Sequence, residues 1–138
     1  MIKQVAYNEI KLGDKAQMKR FISAEDVKSF AEILDDNESF HVSDEAARLS
    51  PFGKKICHGM HVASYISELV GKTLPGFGTI YCSQVLNFKN PLYLDSNITV
   101  KVEVMEKLHG RRLRLLTIIL DDDERIIIDG EAIVMAAK

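Results

Sequence analysis

A chain of 138 residues with 46% hydrophobic and 28% charged residues has the composition of a globular protein with one core. Its 18 basic and 20 acidic residues leave a net charge of −2. This balance argues against a general nucleic-acid binder, because such proteins present a basic face. No apolar run approaches the roughly 20 residues that cross a bilayer, and residues 1–8 lack the apolar segment of a signal peptide. We therefore expect no contact with nucleic acid and no membrane span.

The two cysteines, Cys57 and Cys82, belong to no C-x-x-C pair. Their spacing indicates neither a zinc site nor a disulfide framework. We therefore expect a cytoplasmic protein with reduced thiols.

Three helices are predicted in the first half of the chain. The first begins after Ser23, where an S-x-x-D start signal precedes apolar residues at helical spacing. Those apolar positions are Val27, Phe30, Ala31 and Leu34. Ser43 is expected to cap a short second helix that continues through Leu49. The third helix begins near His58–Gly59 and closes at Gly71–Lys72, and its nearly complete apolar circumference predicts a buried helix.

Strand-like periodicity dominates from Thr79 onward. Apolar and polar residues alternate over Ile98–Val104, which is typical of a half-buried strand. Three further strands are predicted over Thr79–Phe88, Leu113–Leu120 and Ile126–Met135, and a short one over Gln17–Ile22. The sequence thus predicts an α+β protein, a single domain over residues 1–138 with an antiparallel sheet wrapped around a central, mostly buried helix. That architecture is the hot-dog fold.

Asp36 and His41 are the first candidates for chemistry. Residues five apart on one continuous helix point about 140° away from each other, so these two converge only if the helix ends just after Asp36. The segment Asn37–Ser39 has the composition of a turn that brings the chain back. A solvated acidic turn with an incidental histidine is the alternative interpretation.

Gly59 is the second candidate, because it opens the buried helix. Free backbone N–H groups at a helix start stabilise an anion or a developing oxyanion, and a glycine lets a ligand come close. Close packing is the alternative reason for a glycine here. We interpret His58 as structural and leave His61 undecided, since no third ligand converges with them and no metal site is indicated.

Eight further segments accompany these candidates in a fixed order. They are Ile10–Asp14, Phe30–Ala31, Phe52–Ile56, His58–Met60, Leu74–Gly76, Gly78–Tyr81, Phe88–Pro91 and Gly130–Ala132. Together with Asp36 and His41 they resemble the MaoC-like hydratases, the (R)-specific enoyl-CoA hydratases of the hot-dog superfamily. The resemblance runs along nearly the whole chain, and the family motif G-D-x-N-P-x-H places its Asp and His on Asp36 and His41.

This resemblance implies hydration of a trans-2-enoyl-CoA to an (R)-3-hydroxyacyl-CoA, or the reverse dehydration. In such enzymes the Asp and the His hold a water against the β-carbon, with the carboxylate as general base. Carried over, Asp36 and His41 are catalytic, and the Gly59 N–H stabilises the thioester oxygen. No metal or other cofactor is expected, because the thioester of coenzyme A or acyl carrier protein already acidifies the α-proton.

The chain departs from the family motif in the turn before His41. Asp35 stands in place of Gly, and Glu38–Ser39 stands in place of Asn-Pro. The proline stiffens this turn, and a carboxylate at Glu38 makes Asp36 easier to protonate. We therefore expect Glu38→Asn combined with Ser39→Pro to raise turnover or leave it unchanged.

Two other functions stay open at this point. One is a hot-dog acyl-CoA thioesterase, which also uses a carboxylate near a helix start. The other is a non-catalytic acyl-thioester-binding module, which the altered turn makes credible.

A symmetric homodimer is also expected. The apolar strand Thr79–Phe88 would invite aggregation if its edge were left exposed. The resemblance implies that two subunits join their sheets edge to edge.

Overall fold

The computed structural model describes residues 2–138. In chain order the elements are a 3₁₀ turn (Tyr7–Glu9), β1 (Lys15–Ile22), α1 (Ala24–Ile33), α2 (Asp44–Leu49), α3 (Gly59–Lys72), β2 (Ile80–Phe88), β3 (Ser96–Leu108), β4 (Arg112–Leu120) and β5 (Ile126–Met135). The strands form one antiparallel sheet in the order β1-β3-β4-β5-β2. The predicted antiparallel sheet with a buried helix against it is confirmed.

The core lies between α3 and one face of the sheet. Residues of α3 that face the sheet are almost fully buried, and they are Val62, Ala63, Ile66, Leu69 and Val70. Every second residue of β3 from Ile98 to Val104 meets them, because successive side chains of a strand point to opposite faces. The apolar character of α3 around most of its circumference follows from this central position.

β3 is longer than the alternation predicts. The pairing with β4 shifts register between Val104 and Glu106, so Met105 is an inserted residue of a β-bulge. A bulge interrupts the alternation of side chains while the strand continues beyond it. The periodicity therefore ends at Val104 although the strand runs on to Leu108.

β1 and β2 are the two edge strands of the sheet. β1 pairs only with β3 and extends two residues before the predicted Gln17 start. β2 pairs only with β5 and keeps four large apolar side chains exposed, namely Ile80, Tyr81, Val85 and Phe88. An edge with such side chains is a surface that invites pairing with another strand.

α1 begins as predicted and ends one residue earlier than its apolar pattern suggests. Ser23 and Asp26 form a reciprocal capping box at its start. Leu34 was expected on the apolar face, yet it is 55% exposed. The reason is that the helix ends at Ile33 and Asp35 then takes a positive φ of 53°, so Leu34 no longer continues the apolar face of the helix.

Among residues 2–138, no helix combines the length and the apolar character that a membrane crossing requires.

Candidate active site

The turn after α1 fixes the position of Asp36. Its backbone N–H donates to the carbonyl of Ala31 at 2.9 Å, just after the left-handed residue Asp35. A left-handed residue directly after the last helical turn is the usual way to end an α-helix, and glycine adopts it most easily. The helix therefore stops where the Asp36–His41 hypothesis requires it to stop.

Ser39 holds the carboxylate of Asp36 from one side. Its backbone N–H donates to Oδ1 at 3.2 Å, and its hydroxyl donates to Oδ2 at 2.6 Å. The same hydroxyl oxygen accepts the backbone N–H of His41 at 3.2 Å. One serine thus connects the two residues that the family motif places in the active site.

His58 holds the same carboxylate from the other side. Its Nε2 lies 2.9 Å from Asp36 Oδ2, and because a carboxylate only accepts, Nε2 carries the proton. The sequence alone indicates a structural role for His58, but the fold places it in this site. His58 precedes α3 and lies 22 residues from Asp36, so only the packing of α3 beside the turn brings them together.

His41 contacts the site through its ring. Its Nδ1 lies 2.7 Å from the carbonyl oxygen of Ile56 and must donate to it. In the neutral ring this leaves a lone pair on Nε2. The ring stacks on His58, with 4.0 Å between centroids and 26° between planes. Asp36 and His41 therefore meet through Ser39 and His58, and both line one cavity of about 420 Å³.

Neighbouring groups set the charge states of Asp36 and His41. The Ser39 hydroxyl first, and His58 second, hold the pKa of Asp36 well below its ordinary value. These donors outweigh any rise in the Asp36 pKa from the Glu38 carboxylate, and the backbone N–H of Glu38 lowers that pKa as well. Burial lowers the pKa of His41. At neutral pH the site thus pairs an ionised carboxylate with a neutral imidazole.

Gly59 opens α3 as predicted and packs closely. A Cβ built on Gly59 would lie 2.8 Å from Cε1 of Phe88, so the packing interpretation holds for this glycine. Gly59 also lines a second, largely apolar cavity of about 360 Å³ together with His41. The oxyanion role stays a prediction.

Two other polar groups lie near this site. Cys57 lines the cavity of Gly59, and burial raises the pKa of its thiol to about 12. His61 is buried one turn into α3, where its ring stacks on Phe30 and its Nε2 lies 3.1 Å from the Tyr65 hydroxyl. His61 takes no part in the contacts of Asp36 among the described residues.

A five-stranded antiparallel sheet around a buried helix, with a carboxylate and an imidazole beside the start of that helix, defines a protein of the hot-dog class. Residues 7–121 match the family model described as "MaoC like domain". The chain therefore belongs to the MaoC-like family.

Several named relatives are similar to this chain over most of its length. A 3-hydroxybutyryl-CoA dehydratase of Methylorubrum extorquens is 38% identical, with 96% of this chain and 84% of the relative covered. An (R)-specific enoyl-CoA hydratase of Aeromonas caviae is 33% identical, with 91% and 94% covered. The unliganded R-hydratase PhaJ1 of Pseudomonas aeruginosa superimposes with a TM-score of 0.93 at 34% identity, with 99% and 88% covered.

Proposed function

We propose that the protein adds water to the double bond of a trans-2-enoyl thioester, giving an (R)-3-hydroxyacyl thioester, or catalyses the reverse dehydration. The observation that carries this proposal is that Asp36 and His41 line the same cavity, where the carboxylate is ionised and the imidazole is neutral. The named relatives of the same family are hydratases and dehydratases of such substrates. The protein is accordingly a lyase.

In the hydration direction, Asp36 and His41 hold one water against the β-carbon of the substrate. The water oxygen attacks that carbon while the carboxylate takes one of its protons as general base. The electron pair of the double bond moves toward the thioester carbonyl, and Asp36 then returns the proton it took to the α-carbon, which restores the carboxylate. His41 accepts a hydrogen bond from the water at Nε2, the atom that its contact with Ile56 leaves free.

In this proposal the backbone N–H of Gly59 stabilises the developing enolate. Its backbone N–H belongs to the first turn of α3, where N–H groups have no acceptor within the helix. The partial positive charge of the helix start adds to this donor. A thioester oxygen placed there becomes more stable as it gains negative charge.

The chemistry requires no metal and no redox cofactor, because the thioester itself acidifies the α-proton. We expect dialysis against a chelator to leave turnover unchanged. A loss that one divalent metal restores would contradict this part of the proposal.

The deciding experiment is incubation with crotonyl-CoA and with the matching acyl-carrier-protein thioester. Hydration removes the enoyl absorbance and releases no thiol, whereas a thioesterase frees a thiol and a binding module does neither. Asp36→Asn serves as the inactive control. A thioesterase mechanism with Cys57 as the nucleophile is disfavoured, because the raised pKa of this thiol keeps it protonated.

We further propose that two subunits pair along β2. This edge strand is nine residues long, and Ile80, Val85 and Phe88 on it are each more than half exposed. Pairing in a two-fold dimer removes such an edge from solvent. The free thiols of Cys57 and Cys82 support a cytoplasmic location, which fractionation of the source cells tests.

A further inference from the structure

Ser39 replaces a proline of the family motif and has polar groups that a proline lacks. Proline has neither a backbone N–H nor a hydroxyl. Ser39 uses both on Asp36, one on each carboxylate oxygen, at 3.2 and 2.6 Å. The residue that replaces the stiffening proline therefore makes two direct contacts with the carboxylate.

The hydroxyl of Ser39 is engaged in both directions. It donates its single proton to Asp36 and accepts the backbone N–H of His41. These two hydrogen bonds connect the Asp36 carboxylate to the backbone of His41 through one hydroxyl. In the motif the proline ring restricts the turn, and here hydrogen bonds connect its two ends.

The acidic neighbours of Asp36 have no comparable contact with it. The Asp35 carboxylate accepts from the Asn37 amide at 3.3 Å, and Glu38 is exposed. The remaining side-chain partner of the carboxylate is His58, whose ring stacks on His41. Other charged residues lining the same cavity are Glu25, Lys28, Glu32 and Lys55. Ser39 makes two of these contacts with the carboxylate, whereas His58 makes one.

We propose that Ser39 is a positioning residue that holds the Asp36 carboxylate oriented toward the cavity it shares with His41. Its effect on turnover rests on the proposed hydratase function, whereas its effect on Asp36 does not. For Ser39→Pro this inference predicts a loss of turnover, in contrast to the gain or unchanged turnover expected for Glu38→Asn combined with Ser39→Pro, because proline would remove both donors.

The test compares Ser39→Ala, Ser39→Pro and Ser39→Thr with Ser29→Ala as the matched control. Ser29 is exposed on α1 and lies outside the site. Each variant is assayed with crotonyl-CoA for kcat and KM, and its Asp36 carboxyl is titrated by carbon-13 NMR, with Asp36→Asn identifying the resonance. Thermal midpoints establish that each variant is folded.

For Ser39→Ala we expect the Asp36 pKa to rise by about 1 unit or more, because a donor to the charged form is lost. We expect kcat to fall about tenfold or more, with KM within about twofold, because a displaced base loses orientation rather than substrate binding. Ser39→Pro should exceed both effects, and Ser39→Thr, which keeps the hydroxyl and the N–H, should restore both. Ser29→Ala should change neither.

An unchanged Asp36 titration in folded Ser39→Ala would overturn the inference. So would a variant in which KM rises while kcat stays constant. If the wild-type protein hydrates no enoyl thioester, the proposed function fails, and the NMR titration alone then supports or overturns the role of Ser39.

Discussion

Asp36 and His41 carry the expected chemistry at the scale of single residues. We expect Asp36→Asn and His41→Ala to abolish hydration of crotonyl-CoA while shifting the thermal midpoint by no more than about 5 °C, since both residues lie in a partly exposed polar turn. Steady-state kinetics and circular dichroism provide the two measurements. Asp123→Asn, on an exposed turn, is the matched control, and substantial activity in either site variant would remove that residue from the mechanism.

Gly59 has two possible roles that a double substitution separates. Gly59→Ala should reduce both stability and turnover, because its Cβ would lie 2.8 Å from the Phe88 ring. Adding Phe88→Leu relieves that contact and should recover the denaturation midpoint. If turnover stays low in the double variant, the new methyl group obstructs the thioester. Recovery of both properties would leave packing as the sole role of this glycine.

His61 should make the protein sensitive to acid. Burial lowers its pKa below the ordinary value, so the unfolded chain binds a proton at a higher pH than the folded protein does. Its contribution to stability is then complete above about pH 6.5 and is lost as the pH falls below that value. We expect His61→Phe to flatten the decline of the free energy of unfolding between pH 6.5 and 5, measured by urea titration. A slope equal to that of the wild type would contradict this.

At the scale of elements, the end of α1 is strained where the site needs a turn. Asp35 has a positive φ of 53° and places a negative charge at the helix C-terminus, where the helix dipole disfavours it. We expect Asp35→Gly to raise the free energy of unfolding by about 0.5–1 kcal/mol, because glycine adopts this conformation without strain. Asp35→Asn, which removes only the charge, separates the two causes. A destabilised glycine variant would show that the Asn37 contact outweighs both.

Local signals were sufficient to predict most elements. The capping box at Ser23 and the alternation over Ile98–Val104 each depend on neighbours within a few residues, and the structure confirms both. The contact between Asp36 and His58 depends on where α3 packs, and no local pattern encodes that. Comparison with the family motif indicates only that Ser39 lacks the stiffness of proline. Its two donors to Asp36 become visible only in the folded turn.

At the scale of the whole molecule, β2 decides the expected assembly. We expect the wild type to scatter light as a dimer at micromolar concentration, and Val85→Lys to shift it toward the monomer, because a charge at the pairing edge opposes strand addition. Val85 is 60% exposed, so the folded monomer tolerates the change. Leu49→Lys replaces an equally apolar, 84% exposed residue on α2 and should leave the mass unchanged. A wild type that is monomeric would contradict the proposal.

The position of His41 between two cavities has a consequence for the order in which reactants arrive. Its ring borders the cavity with Asp36 and four charged side chains on one side, and the apolar cavity with Gly59 on the other. A thioester held at Gly59 lies on the apolar side, and the charged side then stays open to water. Water can then reach the imidazole while the enoyl thioester stays bound. Neither reactant has to leave before the other enters.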